Sequence, residues 1–373
     1  MIIAENLTRS VVRPLAFTDL ERDSLKALGW NLPQEAMHLV HPHWRGYPAP
    51  PFYSHLLLGL IYFALMVSST IGNGIVLWIF TTSKSLRTPS NLFIVNLAIF
   101  DLLMMLEMPM FLANSSAGRL LGYDLGCTIY AALGSVSGIG ASISNAVIAF
   151  DRYKVISNPM GGRLNFVQAS LLVLMTWIWT MPFTIFPMLK IWGRYVPEGY
   201  LTTCSFDYLS DDHDTKVFVG MIFVWAYFIP MVLIVCNYAR LFKHIQAHER
   251  MLSEQAKKMN VKSLQVNDTN STSAEIRVAK AAFTIFFLFV CAWTPYAAVT
   301  MTGAYGDKNL LTPTATMIPA LACKIVSCID PWVYAISHPK YRMELEKRVP
   351  WLGITEKSVS GTESTGDTLE IKG

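Results

Sequence analysis

Seven long stretches of the chain are almost wholly apolar, and short polar segments separate them. They fall at roughly 55–82, 90–113, 126–150, 168–189, 216–242, 278–303 and 311–337. A hydrocarbon layer about 30 Å thick is crossed by a helix of roughly 20 residues. The pattern therefore predicts an all-α membrane protein, a bundle of seven transmembrane helices. The third and seventh stretches are broken by Ser, Gly and single ionisable groups, which suits helices inside the bundle. A soluble protein with buried helices is a poor alternative, because the remaining chain is too short to cover so many apolar runs. Around the bundle (55–338) the chain divides into an N-terminal segment 1–54, a short amphipathic eighth helix 339–350 and a polar tail 351–373. No internal repeat is visible.

Composition agrees. Apolar residues make up 53% and charged residues 15%, against about 25% charged in soluble domains. Placed along the chain, the charges set an orientation. Lys84, Arg87, Arg152, Lys154, Arg163 and a long basic series from Arg240 to Lys280 fall in the odd-numbered connections. The even-numbered ones hold only Arg119, Lys190, Arg194 and Lys308. Basic residues stay on the cytoplasmic side, so the N-terminus is expected outside and the C-terminus inside. The five basic residues of the first 54 sit mostly far from the first span. Asn6-Leu7-Thr8 then becomes an external glycosylation site, Asn114 is expected too close to the membrane for one, and the sequons at Asn267 and Asn270 face the cytosol. The net charge of +4 is modest and says little by itself; no nucleic-acid partner is expected.

Ionisable residues inside a bilayer are costly and mark function by default. Asp101, Glu107, Lys324 and Asp330 are four such residues. Lys324 lies mid-span in Ala320-Leu321-Ala322-Cys323-Lys324, too deep to reach water. It is either a structural partner of an acid or an amine that forms a Schiff base with an aldehyde. Asn73, Asp101 and Asp330 form a polar seam that reads equally as glue, as a water or sodium site, or as a switch. Pro331 follows Asp330 and frees backbone carbonyls that polar groups must satisfy. Cys127 and Cys204 are placed to meet outside as a disulfide; Cys236, Cys291, Cys323 and Cys328 are expected free and buried. The cysteines lack metal-ligand spacing. No nucleophile elbow, P-loop or His-Glu-x-x-His is present, so no enzyme is expected.

Taken together, Gly72-Asn73-Gly74, Asn96-Leu97-Ala98-Ile99-Phe100-Asp101, Asp151-Arg152-Tyr153, Trp177, Pro230, Tyr238, Cys291-Ala292-Trp293-Thr294-Pro295-Tyr296 and Asp330-Pro331-Trp332-Val333-Tyr334 resemble the rhodopsin-like G-protein-coupled receptors over residues 55–348. Lys324, six residues before Asp330, resembles the retinal-attachment lysine of opsins. His338-Pro339-Lys340 is similar to the tripeptide of protostome visual opsins that couple to the Gq class, and Glu107 in Leu106-Glu107-Met108-Pro109 to the insect blue-sensitive group, where ultraviolet relatives carry Lys. Asp330 stands where many receptors of the family have Asn.

The resemblance implies a light-activated receptor of a photoreceptor plasma membrane, in the rhabdomere. Retinal or 3-hydroxyretinal would be bound at Lys324 as a Schiff base. Tyr130 replaces the acid that vertebrate pigments carry near the head of the third helix, which leaves Glu198 as the more distant counterion and Glu107 as a spectral-tuning residue. Trp293, Tyr296 and Phe289 would face the chromophore, with Tyr227 and Gly138 as further pocket residues. In the activation switch Arg152 would pair with Asp151 and with Glu275. Tyr153, Tyr238, Asp330, Pro331 and Tyr334 complete the switch, and His338, Pro339 and Lys340 contact the G protein. Tyr341 to Val349 would rest on membrane lipid through Leu345, because the tail has no cysteine to acylate. A receptor kinase would phosphorylate Ser358, Ser360, Thr362, Ser364 and Thr365 for an arrestin. The rival classes are a receptor for a diffusible ligand, a light-driven ion pump and a photoisomerase; the pump is disfavoured by Asp151-Arg152-Tyr153 and Trp293-Thr294-Pro295.

Overall fold

The computed structural model describes residues 26–159, 161–259 and 269–354. Among the described residues, seven helices are long and apolar enough to cross a membrane. They are α1 (Phe52–Thr82), α2 (Pro89–Met105, resuming at Met108–Ala117), α3 (Tyr123–Ser157), α4 (Phe166–Met188), α5 (His213–Ile222, a π-helical turn Phe223–Phe228, then Ile229–Met259), α6 (Thr269–Tyr305) and α7 (Pro313–Ser337). A shorter α8 (Pro339–Arg348) follows. Local chemistry sets the starts. Thr88 caps α2 with Pro89 in its first turn, Asn165 and Gln168 form a capping box at α4, and Asp212 caps α5, each satisfying amide groups that a helix start leaves free.

Burial ranks the helices. In α3, 72% of the apolar window is buried, against 22% in α1, so α3 is the central post. The outer faces carry exposed Leu57, Leu60, Phe63, Leu171, Leu174, Ile178, Val235 and Phe287. A surface so apolar is stable against lipid tails, not water.

Proline shapes the helices and neighbours repair the damage. Pro331 has no N–H for the carbonyl of Ser327, four residues earlier. Ser69 Oγ and Asn73 Nδ2 on α1 donate to that carbonyl instead, at 2.9 and 2.8 Å. Pro230 likewise cannot bond Ala226, whose carbonyl accepts from Ser142 Oγ on α3 at 2.7 Å. Pro109 falls at the restart of α2, so the helix breaks at Leu106 and Glu107. The single span expected at 90–113 is therefore two helical pieces, and Glu107 sits in the gap.

At the end of the bundle that carries the N-terminal segment, β1 (Tyr195–Glu198) and β2 (Thr203–Phe206) pair antiparallel, with Pro197 opposite Cys204. The Cys127–Cys204 disulfide ties this hairpin to the head of α3. Residues 26–50 fold over the same end. Trp44 has no exposed surface, and the His43 ring bonds the carbonyl of Leu311 at 2.7 Å.

Two expectations need correction. Cys236 and Cys291 are exposed, and only Cys323 and Cys328 of the free cysteines are buried; the first two lie on outward faces of α5 and α6. Leu345 does not face outward either. It is buried, as is Tyr341, which stacks on Phe80 with ring centroids 5.2 Å apart. Helix α8 thus packs its apolar side on α1. Asn114 is buried too, bonded to Thr202 O and Leu121 N. Asn6, Asn267 and Ser358, Ser360, Thr362, Ser364 and Thr365 of the tail lie outside the described residues.

Candidate functional site

Behind the hairpin lies a cavity within the bundle, between α3, α5, α6 and α7. Its lining is mostly apolar and aromatic. Phe289, Trp293 and Tyr296 come from successive turns of α6, Phe223 and Tyr227 from the π turn of α5, Tyr130, Gly134 and Gly138 from α3. Every pocket residue expected from the sequence is in this wall. Trp293 stacks on Phe289 at 5.4 Å and meets Tyr296 edge-on at 6.2 Å. Gly138 allows this: a Cβ there would collide with the Trp293 ring. Tyr227 reaches across to α6 and hydrogen-bonds Thr294.

Lys324 enters the cavity from α7. Its Nζ lies 3.0 Å from Glu107 Oε1, with the carboxylate 1% exposed and the lysine side chain 12%. The break in α2 explains the reach, because it sets Glu107 beside α3 rather than on a regular helical face. A buried lysine beside a buried acid is an ion pair that neither partner could keep alone. The hydroxyls of Tyr62 and Tyr130 are buried with no hydrogen-bond partner among the described residues. Tyr62, which stacks on Phe111 at 3.9 Å, carries no ionisable charge in an apolar run, so nothing in the sequence singled it out.

Glu198 occupies the hairpin side of the same cavity. It is 4% exposed, and Tyr208 donates a hydrogen bond to its Oε2 at 2.9 Å. Burial pushes its carboxyl above the ordinary value, while the hydrogen bond from Tyr208 acts against that shift. No ion pair joins Glu198 to Lys324 among the described residues. The nearer acid is Glu107.

At the far end of α3, Arg152 pairs with Asp151, and Ser90 Oγ on α2 bonds the other Asp151 oxygen at 3.0 Å. Tyr153 packs against the main core and Tyr238 lies buried within it. The side chains of Glu275 and Tyr334 lie outside the described residues. Asp101 and Asp330 are both buried, each with one carboxylate oxygen lacking a partner among the described residues. Pro331 packs on α1 so closely that a Cβ on Gly72 would meet it at 3.0 Å. His338 caps α8 by accepting from Tyr341 N at 3.2 Å, while Pro339 opens that helix and Lys340 is exposed.

A cavity with a mostly apolar and aromatic lining, ending at an amine with a carboxylate beside it, suits a hydrophobic aldehyde. Of the two unpartnered tyrosines, Tyr130 lines the cavity. Among the described residues no cluster of His, Cys, Asp or Glu could hold a metal.

The profile described as the seven-transmembrane receptor (rhodopsin family) matches residues 72–334. The chain is 65% identical to Opsin-3 of Manduca sexta over 91% of its own length and 88% of that protein. It is 57% identical to the blue-sensitive opsin of Apis mellifera, over 93% and 92% respectively. Among solved structures, squid rhodopsin superposes with a TM-score of 0.80 at 31% identity, covering 86% of this chain and 92% of that one.

Proposed function

This chain belongs to the rhodopsin family of seven-transmembrane receptors, as an insect visual opsin, and we propose that it is a blue-sensitive pigment coupled to the Gq class of heterotrimeric G protein. As an opsin it is a light-sensing receptor rather than an enzyme, spans the membrane many times, and works with a retinal chromophore and a G protein. The finer reading concerns which residues do the work.

Retinal, or 3-hydroxyretinal, supplies an aldehyde for a Schiff base at Lys324 and a polyene whose shape light changes. The observation that carries the reading is the Lys324–Glu107 pair at 3.0 Å on the wall of an apolar cavity. A carboxylate at that distance favours the protonated nitrogen, and a cation in its place would disfavour it. Glu107 therefore holds the proton on Lys324 Nζ, which places absorption in the visible, blue range. Glu198, held by Tyr208, is the second and more distant acid. Trp293 and Tyr296, with Phe289, Tyr227 and Gly138, would hold the chromophore.

Activation is a shift between two packings of the bundle. Pro230, Pro295 and Pro331 supply bending points, and neighbouring side chains already satisfy the carbonyls freed at two of them. The Asp151–Arg152 pair, with Ser90 and the proposed contact to Glu275, is the lock at the cytoplasmic end. Tyr153, Tyr238, Asp330 and Tyr334 rearrange around it, and His338, Pro339 and Lys340 meet the G protein. The N-terminus, with Asn6 glycosylated, lies outside. The tail lies inside, where a receptor kinase modifies Ser358, Ser360, Thr362, Ser364 and Thr365 for arrestin. The cell carries the protein in its rhabdomere membrane.

The test is spectroscopic. Purified protein mixed with retinal is expected to give a visible band that hydroxylamine destroys and illumination shifts, and Lys324→Ala is expected to give none. A retained adduct in Lys324→Ala defeats the assignment. Light-dependent nucleotide exchange on a G protein of the Gq class decides between a signalling pigment and a photoisomerase.

A further inference from the structure

The acid that faces Lys324 needs room, and the room comes from α3. A glycine inside a helix costs about 1 kcal/mol relative to alanine, so Gly134, mid-way along the central post, calls for a physical reason. A Cβ at Gly134 would stand 3.0 Å from Glu107 Oε2 and 3.9 Å from its carboxyl carbon. The first distance is shorter than ordinary carbon–oxygen contact. The missing side chain is thus the space the carboxylate fills. Its other oxygen, Oε1, is the one at 3.0 Å from Lys324 Nζ. The carboxylate is wedged between the backbone of one helix and the amine of another, and it is 1% exposed, so it cannot retreat into solvent.

We propose that Gly134 is the seat of the Glu107 carboxylate and a position that sets the pigment's absorption. The inference rests on the retinal reading of the cavity. A methyl group at residue 134 pushes the carboxylate away from α3 and disturbs its approach to the nitrogen. Excitation of a protonated polyene nitrogen moves positive charge away from that nitrogen, so a less well-placed anion stabilises the ground state less. The band then moves to longer wavelength, and the proton is held less firmly.

The experiment uses the full chain in lipid nanodiscs as wild type, Gly134→Ala, Glu107→Gln and the double variant. The infrared carboxylate stretch of Glu107, identified by its loss in Glu107→Gln, is recorded before retinal is added. It is expected to shift in Gly134→Ala. After loading, Gly134→Ala is expected to absorb at longer wavelength than wild type. The alkaline pH at which its visible band converts to an ultraviolet form is expected to fall by about one pH unit, the lower end of the effect of moving an opposite charge. The double variant is expected to match Glu107→Gln alone. An unshifted stretch and band in Gly134→Ala overturns the proposal, and so does a Gly134→Ala shift that persists in the Glu107→Gln background. Failure of wild type itself to form a pigment would instead overturn the retinal reading, and the infrared comparison would still decide whether Gly134 seats the acid.

Discussion

The chemistry of this protein narrows to two side chains more than two hundred residues apart in sequence. A buried ammonium alone would cost several kcal/mol, and its removal from water is tolerable only with an anion in contact. Reversing the charge at residue 107 is therefore expected to be drastic. In Glu107→Lys two cations face each other, the Lys324 nitrogen gives up its proton, and the absorption band moves into the ultraviolet. A band that stays in place in the purified variant would exclude Glu107 as the tuning residue. Lys324 and Glu107 were both legible in the sequence as ionisable groups in apolar runs. Glu107 was expected to favour a protonated nitrogen at Lys324 only if it lay near the pocket, and that nearness depends on where α2 breaks relative to α7. Sequence reasoning assigned counterion work to Glu198, which the structure places on the hairpin wall in a hydrogen bond with Tyr208. Gly134 gave no sign, since its contribution is a missing side chain. Only its spacing of four from Gly138, which puts both on one helical face, hints that α3 is pared down toward the cavity.

At the scale of the elements, α8 is held by its start and its buried face. His338 is 5% exposed, and burial, helped by the charge of Arg152, lowers its pKa to about 4. Between that value and the ordinary 6.5 the unfolded chain binds a proton that the folded chain refuses. Docking of α8 is then fully stable above the ordinary value and weakens as the pH falls towards 4, by up to about 3 kcal/mol for the whole shift. Protonation also puts a hydrogen on Nδ1, the atom that accepts from Tyr341 N, or forces the ring to turn. A spin label at Met343→Cys on the exposed side of α8 is expected to gain mobility below about pH 6. That step is expected to vanish in His338→Asn, which retains a capping acceptor without the titration. Equal mobility across the range would refute the capping account. The positions of the seven spans followed from hydropathy alone, but the facing of α8 did not. Leu345 reads as a lipid contact until Phe80 and Tyr341 are seen to stack beneath it.

For the whole molecule, the lid over the cavity hangs on one covalent bond. Cys127 and Cys204 are 77 residues apart in sequence, and closing a loop of that length removes chain entropy from the unfolded state equivalent to about 4–5 kcal/mol. The bond also keeps β1 and β2, and with them Glu198, against the head of α3. Replacing both cysteines with alanine is expected to lower the thermal midpoint of the apoprotein by several degrees and to abolish or sharply reduce the yield of pigment from added retinal. Normal yield and midpoint would show that the hairpin docks without it. The disulfide could be anticipated because only these two cysteines lay near one end of the bundle. The fold of residues 26–50 over that end could not, because Trp44 and His43 find their partners in distant parts of the chain.

The interruption in α2 has a bearing on how such a protein changes over generations. Residue 107 is the cap at which α2 resumes, its carbonyl accepting from Phe111 N, so its side chain is less constrained by helix-forming preference than one in a helix interior. On the reading proposed above, the same residue governs which photons are caught. A lineage can therefore retune what it sees by exchanging one residue at a joint, provided that the amine facing it can shed its charge in step.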